Sequence, residues 1–197
     1  MQPSTDRERW NDRYRQGHDG AVPVLLGRCL HLLPRSGRAL DVAGGSGQAA
    51  AILAARGLAV TVCDVSDVAL ELVAERAERS GVRIDTILTD LTVDPFPPGP
   101  WDLITCFNYL DRSLFGPMIA NLAGNGVLAV SLATRSNLER HPRPSAQYLL
   151  DDGELPSLLD NLEVLTYREE WNLDGRHSAN AVARRAGTGA NAVARRV

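Results

Sequence analysis

The sequence predicts one α/β domain organised around a doubly wound, mostly parallel sheet. Short apolar strands alternate with helices of ordinary length from Arg38 to Leu132, the rhythm of successive βαβ units. Those strands are apolar almost without interruption, as parallel strands covered on both faces must be. The rhythm then changes: two strands joined by the turn Asn172 to Arg176 (NLDGR) form an antiparallel hairpin.

Taken in order, Asp6 to Tyr14 is a charged helix that places Trp10 and Tyr14 on one face. Ala21 to Leu33 is a more apolar helix ended by Pro34 and Gly37. Arg38 to Val42 (RALDV) is the first strand and runs into a glycine loop. Gln48 to Arg56 is an alanine-rich helix stopped by Gly57, and Leu58 to Cys63 is a β-branched strand. Ser66 caps a helix from Asp67 to Ser80, which Gly81 closes. Val82 to Leu88 is the third strand, and Pro95, Pro97, Pro98, Gly99 and Pro100 mark a loop. There follow a strand at Trp101 to Phe107, a helix at Ser113 to Ala123 and a strand at Val127 to Leu132. Gly153 to Asn161 is a short helix, and Leu162 to Trp171 and His177 to Arg184 are the hairpin strands. The heptapeptide ANAVARR occurs twice, at Ala179 to Arg185 and Ala190 to Arg196; the first copy serves as the last strand and the second is a tail. The expected organisation is one domain over 1–185, with a helical lid or cap at 1–36, a core at 37–185, and a tail at 186–197.

Composition narrows the chemistry. A chain of 197 residues, 44% hydrophobic, can bury one core. All 21 basic residues are arginine. That excludes a lysine Schiff base, a pyridoxal-phosphate anchor and a P-loop, each of which needs a lysine amine. The net charge is −3 and the arginines are scattered, so no basic face suits a nucleic-acid backbone and none is an expected partner. Cys29, Cys63 and Cys106 are odd in number and far apart, which fits neither a disulfide framework nor a zinc knuckle; Cys63 and Cys106 read as small core residues. His18, His31, His141 and His177 show no i, i+4 pairing, so no metal is expected. No apolar run reaches the roughly 18 residues needed to cross a membrane, and Met1 to Trp10 is polar and charged, unlike a secretory leader. The expectation is a cytoplasmic protein, monomeric or homodimeric, without membrane contact.

The informative stretch is Ala39 to Ala50, ALDVAGGSGQAA. Gly44, Gly45 and Gly47 let the backbone turn tightly between strand and helix and approach a ligand. In an open α/β sheet, ligands lie at the carboxyl ends of the strands. Gly45, Gly47 and Ala50 also fit the dinucleotide pattern G-x-G-x-x-G/A. Asp41 decides between the two ligand classes: a carboxylate directly before the loop repels a pyrophosphate and attracts the ammonium of S-adenosylmethionine. Asp64 ends the second strand, where an acid accepts from ribose hydroxyls, and Val65 is placed to pack on the adenine face. Asp90 ends the third strand and can accept from the adenine amine, with the Leu91 backbone at the ring edge. Substituting either Asp41 or Asp64 by alanine is expected to lose cofactor affinity with little loss of fold.

From about Arg38 to Arg184 the chain resembles the class I S-adenosylmethionine-dependent methyltransferases. ALDVAGGSG, VTVCDVS, LTDL and WDLITCFNYLDR stand in that family's order. WNDRY and LLDDGELPSLL further resemble a small bacterial subgroup that includes tellurite-resistance-type methyltransferases. The resemblance implies a seven-stranded Rossmann-like sheet of order 3-2-1-4-5-7-6 with the last strand antiparallel. It implies that Asp41, Gly45, Gly47, Asp64, Val65 and Asp90 line S-adenosylmethionine, with the backbones of Phe107 and Asn108 near its methionyl end. Ala43 departs from the family's frequent glycine; alanine still permits a close approach unless φ must be positive there.

The segment Cys106 to Arg112 (CFNYLDR) should face a small-molecule methyl acceptor. The family's base N-methyltransferases usually carry a proline pair after the asparagine, which Asn108-Tyr109 lacks. A thiol, a metalloid oxyanion or a natural-product hydroxyl is the expected acceptor class. Tyr109 either orients the acceptor or packs; Asp111 reads as a helix cap. His141 in a proline-rich loop and His177 at the last strand are candidate general bases, or plain loop histidines. In-line displacement can proceed by proximity alone, so no base is required. Two other readings stand: an NAD(P)-dependent oxidoreductase, and a non-catalytic S-adenosylmethionine-binding partner protein.

Overall fold

The computed structural model describes residues 5–187. Its sheet has seven strands: β1 (Arg38–Val42), β2 (Ala59–Asp64), β3 (Ile84–Leu88), β4 (Trp101–Phe107), β5 (Leu122–Ala133), β6 (Glu163–Trp171) and β7 (His177–Arg184). They lie in the order β3-β2-β1-β4-β5-β7-β6, and β7 alone runs against its neighbours. The helices are α1 (Thr5–Arg15), α2 (Val24–Cys29), α3 (Gln48–Ala55), α4 (Asp67–Ser80), α5 (Phe115–Ala120) and α6 (Leu155–Leu158). The second ANAVARR copy lies outside the described residues.

Period-two alternation splits the core between the two faces of the sheet. Leu40, Ile104, Leu128 and Ala181 point to one face, with Phe115, Met118 and Leu155. Ala39, Leu103, Ala129 and Val182 point to the other, with Leu26 and Leu53. Burying each such leucine is worth about 1.5–3 kcal/mol. Alternation along β1 therefore turns Asp41 toward the second face, among apolar neighbours. The register sets Asp41 directly opposite Thr105 of β4, and that pairing matters for the site.

Several elements are shorter than their sequence pattern. The apolar stretch from Ala21 is helical only from Val24 to Cys29, after Pro23, and finishes as a 3-10 turn at Leu30–Leu32. The helix expected at Ser113 to Ala123 is a 3-10 turn at Arg112–Leu114 and then α5, which stops at Ala120. It stops because β5 begins earlier than Val127: the Trp101 N–H donates to the Asn121 carbonyl (2.9 Å) and Leu122 pairs with Trp101. In the turn before α6, Gly153 has φ +79° and Pro156 sits in the first turn, so only Leu155–Leu158 is helical. The caps are as expected: the Ser66 hydroxyl accepts from the Ala69 N–H, Gly81 is left-handed, and Asp111 accepts from the Ser113 N–H.

Candidate functional site

The chain leaves β1 through Ala43, Gly44, Gly45, Ser46 and Gly47 and enters α3 at Gln48. Three of these residues are left-handed: Ala43 at φ 49°, Gly45 at 57° and Gly47 at 75°. The expectation that alanine fits without a positive φ is thus corrected. Its Cβ crowds the backbone in that region, at a cost of about 1–2 kcal/mol. Ala43→Gly should therefore raise stability, by about 0.5–1 kcal/mol once glycine's larger unfolded-state entropy is subtracted; a lower melting temperature for this variant would contradict that account. Gly44 is needed for space rather than for φ: a Cβ there would stand 2.6 Å from Asp41 Oδ2 and 3.0 Å from Val62 Cγ1.

Asp41 is 2% exposed. Its Oδ1 accepts from the Thr105 hydroxyl at 2.6 Å, the contact that the β1–β4 register dictates. Its Oδ2 is buried with no partner among the described residues and faces Gly44 of the glycine loop. Burial pushes the Asp41 carboxyl up to about 6; the Thr105 hydrogen bond opposes the shift and the Asp64 charge adds to it. An unpartnered buried carboxylate oxygen costs stability unless a ligand donates to it, and a cationic amine is the donor that helps most.

Asp64 is built differently. Its two oxygens accept from the Gly45 N–H (Oδ2, 2.9 Å) and the Ser66 N–H (Oδ1, 2.9 Å). It thereby pins the glycine loop to the end of β2. Burial raises its pKa, and those backbone N–H groups work against the shift. Each oxygen keeps a lone pair for a further donor. Val65 follows, half-buried, and its carbonyl accepts from Arg7 (3.0 Å). Asp90 caps a local turn, accepting from the Thr92 N–H (3.1 Å) and hydroxyl (2.6 Å), and half-buried Leu91 packs against the core. At the end of β4, Phe107 is half-buried and Asn108 is left-handed at φ 58°, its N–H bonded to the Ser131 carbonyl.

These strand ends form one continuous rim, because β3, β2, β1 and β4 are adjacent and parallel. Tyr109 sits beyond β4, packed against the core, its phenol raised by burial and by the nearby Asp111. His141 and His177 are not brought to the glycine loop. His177 opens β7, which β4 and β5 separate from β1, and its Nδ1 contacts the Thr134 hydroxyl (2.7 Å). The His141 Nε2 is 2.9 Å from the Gly175 carbonyl; a carbonyl only accepts, so that nitrogen carries the proton.

The N-terminal segment closes over this rim. The Tyr14 hydroxyl lies against Gly45, where a Cβ would meet it at 2.5 Å. Trp10, Tyr14 and His18 form a three-ring cluster with centroids 5.5–6.0 Å apart. Arg13 stacks over Trp10 (4.5 Å), whereas Arg15 only pairs with Asp12 at the surface. Asn11 bonds Ser66 (2.6 Å) and Asp67 (2.7 Å), and Asp19 bonds Ser46 (2.5 Å) and Arg76 (2.7 Å). Sequence reasoning missed Thr105 and His18. The signal for Thr105 was a lone hydroxyl in an apolar strand; that for His18 was its i+4 spacing from Tyr14, hidden because α1 ends at Arg15. Burial and Arg13 lower the His18 pKa. The three cysteines are buried; desolvation pushes the Cys63 thiol up to about 12 and Cys106 higher still, so neither is a nucleophile near neutral pH. Among the described residues no helix is long and apolar enough to cross a membrane.

Residues 39–126 match a family described as a methyltransferase domain. A curated relative, the ubiquinone biosynthesis O-methyltransferase of Marinobacter nauticus, is 35% identical over 78 residues; the match covers 38% of this chain and 33% of that protein. Solved structures share the fold. TehB from Haemophilus influenzae superposes with a TM-score of 0.70 at 19% identity, covering 89% of this chain and 67% of that one. The magnesium protoporphyrin IX methyltransferase of Synechocystis PCC 6803, solved with bound S-adenosylhomocysteine, superposes with a TM-score of 0.70 at 17% identity, covering 94% of this chain and 100% of that one. The family match runs from β1 into β5, and with β7 and β6 beyond it the seven strands stand in the order of the Rossmann-like methyltransferase fold that these solved structures share.

Proposed function

We propose that this chain transfers a methyl group from S-adenosylmethionine to a small acceptor, with a thiol, a metalloid oxyanion or a natural-product hydroxyl as the acceptor class. The observation that carries the reading is Asp41 Oδ2, buried, without a partner among the described residues and set directly beneath Gly44 of the glycine loop. The residues fit the cofactor. Asp41 takes the methionyl ammonium, and in the loop from Ala43 to Gly47 it is Gly44, Gly45 and Gly47 that give close backbone approach. Asp64 takes the ribose hydroxyls on its remaining lone pairs, while Val65, Asp90 and Leu91 border the adenine, and the Phe107 and Asn108 backbones border the methionyl end. When bound, the cofactor supplies an electrophilic methyl on a positively charged sulfur.

The rest falls to the chain's own groups. Trp10, Tyr14 and His18 cover the rim and exclude water, so the described part of 1–36 acts as a lid on the core at 37–185. Tyr109 borders the acceptor side and orients it through its hydroxyl. His141 and His177 stand at the far end of the rim, where they serve an acceptor that reaches that far. Calorimetric titration with S-adenosylhomocysteine, with NADH and NADP as controls, tests the reading. Binding of S-adenosylhomocysteine alone supports it; binding of a nicotinamide cofactor, or of none of the three, removes it. Formation of S-adenosylhomocysteine with a panel of thiols, oxyanions and phenols then separates an enzyme from a binding protein.

A further inference from the structure

Three potential metal ligands converge away from the glycine loop. A carboxylate oxygen of Asp152, one of Glu169 and a ring nitrogen of His177 all lie within 4.8 Å of one another. They come from the turn before α6, from β6 and from the start of β7, so no local spacing in the sequence announces them.

Charge pairing singles out these acids. Each neighbouring acid has an arginine: Asp151 pairs with Arg135 (2.6 Å), Glu154 with Arg112 (2.5 Å) and Glu170 with Arg28. Among the described residues, Asp152 and Glu169 have none. Two carboxylates left without a cation and pointed at one another repel, and a divalent cation between them removes that repulsion.

The ligands are also oriented. Asp152 accepts from the Ser136 hydroxyl (2.7 Å) and N–H (3.2 Å), and Glu169 accepts from the Tyr167 hydroxyl (2.5 Å) and the Gly153 N–H. The Thr134 hydroxyl contacts the His177 Nδ1 at 2.7 Å and lies close enough to Asp152 to hold its carboxyl below the usual value. With Nδ1–H donated to the Thr134 hydroxyl, the lone pair on Nε2 is left for a metal, the form in which histidine ligates.

We propose that Asp152, Glu169 and His177 bind one divalent transition-metal cation of the manganese or zinc type, tying the turn before α6 to the β6–β7 hairpin. Two hard oxygens and one imidazole favour such an ion over calcium or magnesium, which prefer all-oxygen sites. This site is separate from Asp41, and cation binding there can be measured without methyl transfer.

Manganese(II) is the probe. Titrated into the full chain, it should lose its free electron-paramagnetic-resonance signal to one tight site per chain, and zinc should displace it. Glu169→Gln and His177→Ala should each weaken binding at least about tenfold, while exposed Asp85→Asn should leave it unchanged. NMR of the parent guards against misfolded variants: of the four histidines, His177 should broaden at the lowest manganese concentration. Manganese held equally by the parent and both variants, or broadening that spares His177, overturns the proposal.

Discussion

Asp41→Asn is expected to make the cofactor-free chain more stable and the site less able to bind. The carboxyl moves from an ordinary 3.8 to about 6 on folding, which by linkage costs about 3 kcal/mol wherever it is ionised in both states. Asparagine removes the charge and keeps an oxygen for Thr105, but its amide N–H₂ then stands where Oδ2 was unpartnered, at a cost of about 1 kcal/mol. The net gain at pH 8 is about 2 kcal/mol, or about 4–8 °C in melting temperature. The sign with pH follows from the raised folded value. The folded state binds the extra proton between about pH 4 and 6, so the parent loses stability as pH rises through that window, and the variant's advantage fades as pH falls through it. Affinity for S-adenosylhomocysteine should drop about 10- to 100-fold, the worth of a charged hydrogen bond. In the parent, affinity should fall as pH drops below about 6, where the free site is protonated. Melting curves at pH 8 and 4.5 with calorimetry check both halves. A variant that binds like the parent, or melts lower at pH 8, would refute this role for Asp41.

Asp64→Ala is expected to lose both affinity and fold. Unlike Asp41, this carboxylate already accepts from a backbone donor on each oxygen, at Gly45 and Ser66. Its removal orphans two buried N–H groups at about 1–3 kcal/mol each, offset in part because a charge that burial disfavours is gone. A net loss of about 2 kcal/mol follows, with a glycine loop no longer pinned to β2. Affinity for S-adenosylhomocysteine should fall at least about tenfold beyond what unfolding explains, and Asp64→Asn, which keeps an acceptor, should recover part of the stability. A folded Asp64→Ala chain with parental melting temperature and affinity would remove Asp64 from the site.

The contrast between the two aspartates marks where sequence reading stops. As strand-end acids they were equivalent, and both alanine variants were expected to spare the fold. The difference lies in register and loop conformation. Asp41 faces Thr105 only because β1 and β4 pair as they do, a pairing across 64 positions of chain. The glycine loop, the strand alternation and the caps at Ser66 and Gly81 were legible because each is set by residues within a few positions. The converging side chains of Asp152, Glu169 and His177 were not, and neither was the early start of β5, which the Trp101 backbone imposes from outside its own pattern.

The placement of β7 bears on how the chain is made. It lies between β5 and β6 yet comes after both in sequence. During synthesis, β5 therefore waits with an open edge, and β6 emerges with no strand to join. That edge, Leu122–Ala133, is almost wholly apolar along its second half. Open apolar strand edges pair promiscuously, and folding intermediates that carry them aggregate. The interval between translation of Ala133 and of Arg184 is thus when a nascent chain of this topology most needs protection from its neighbours on the same message.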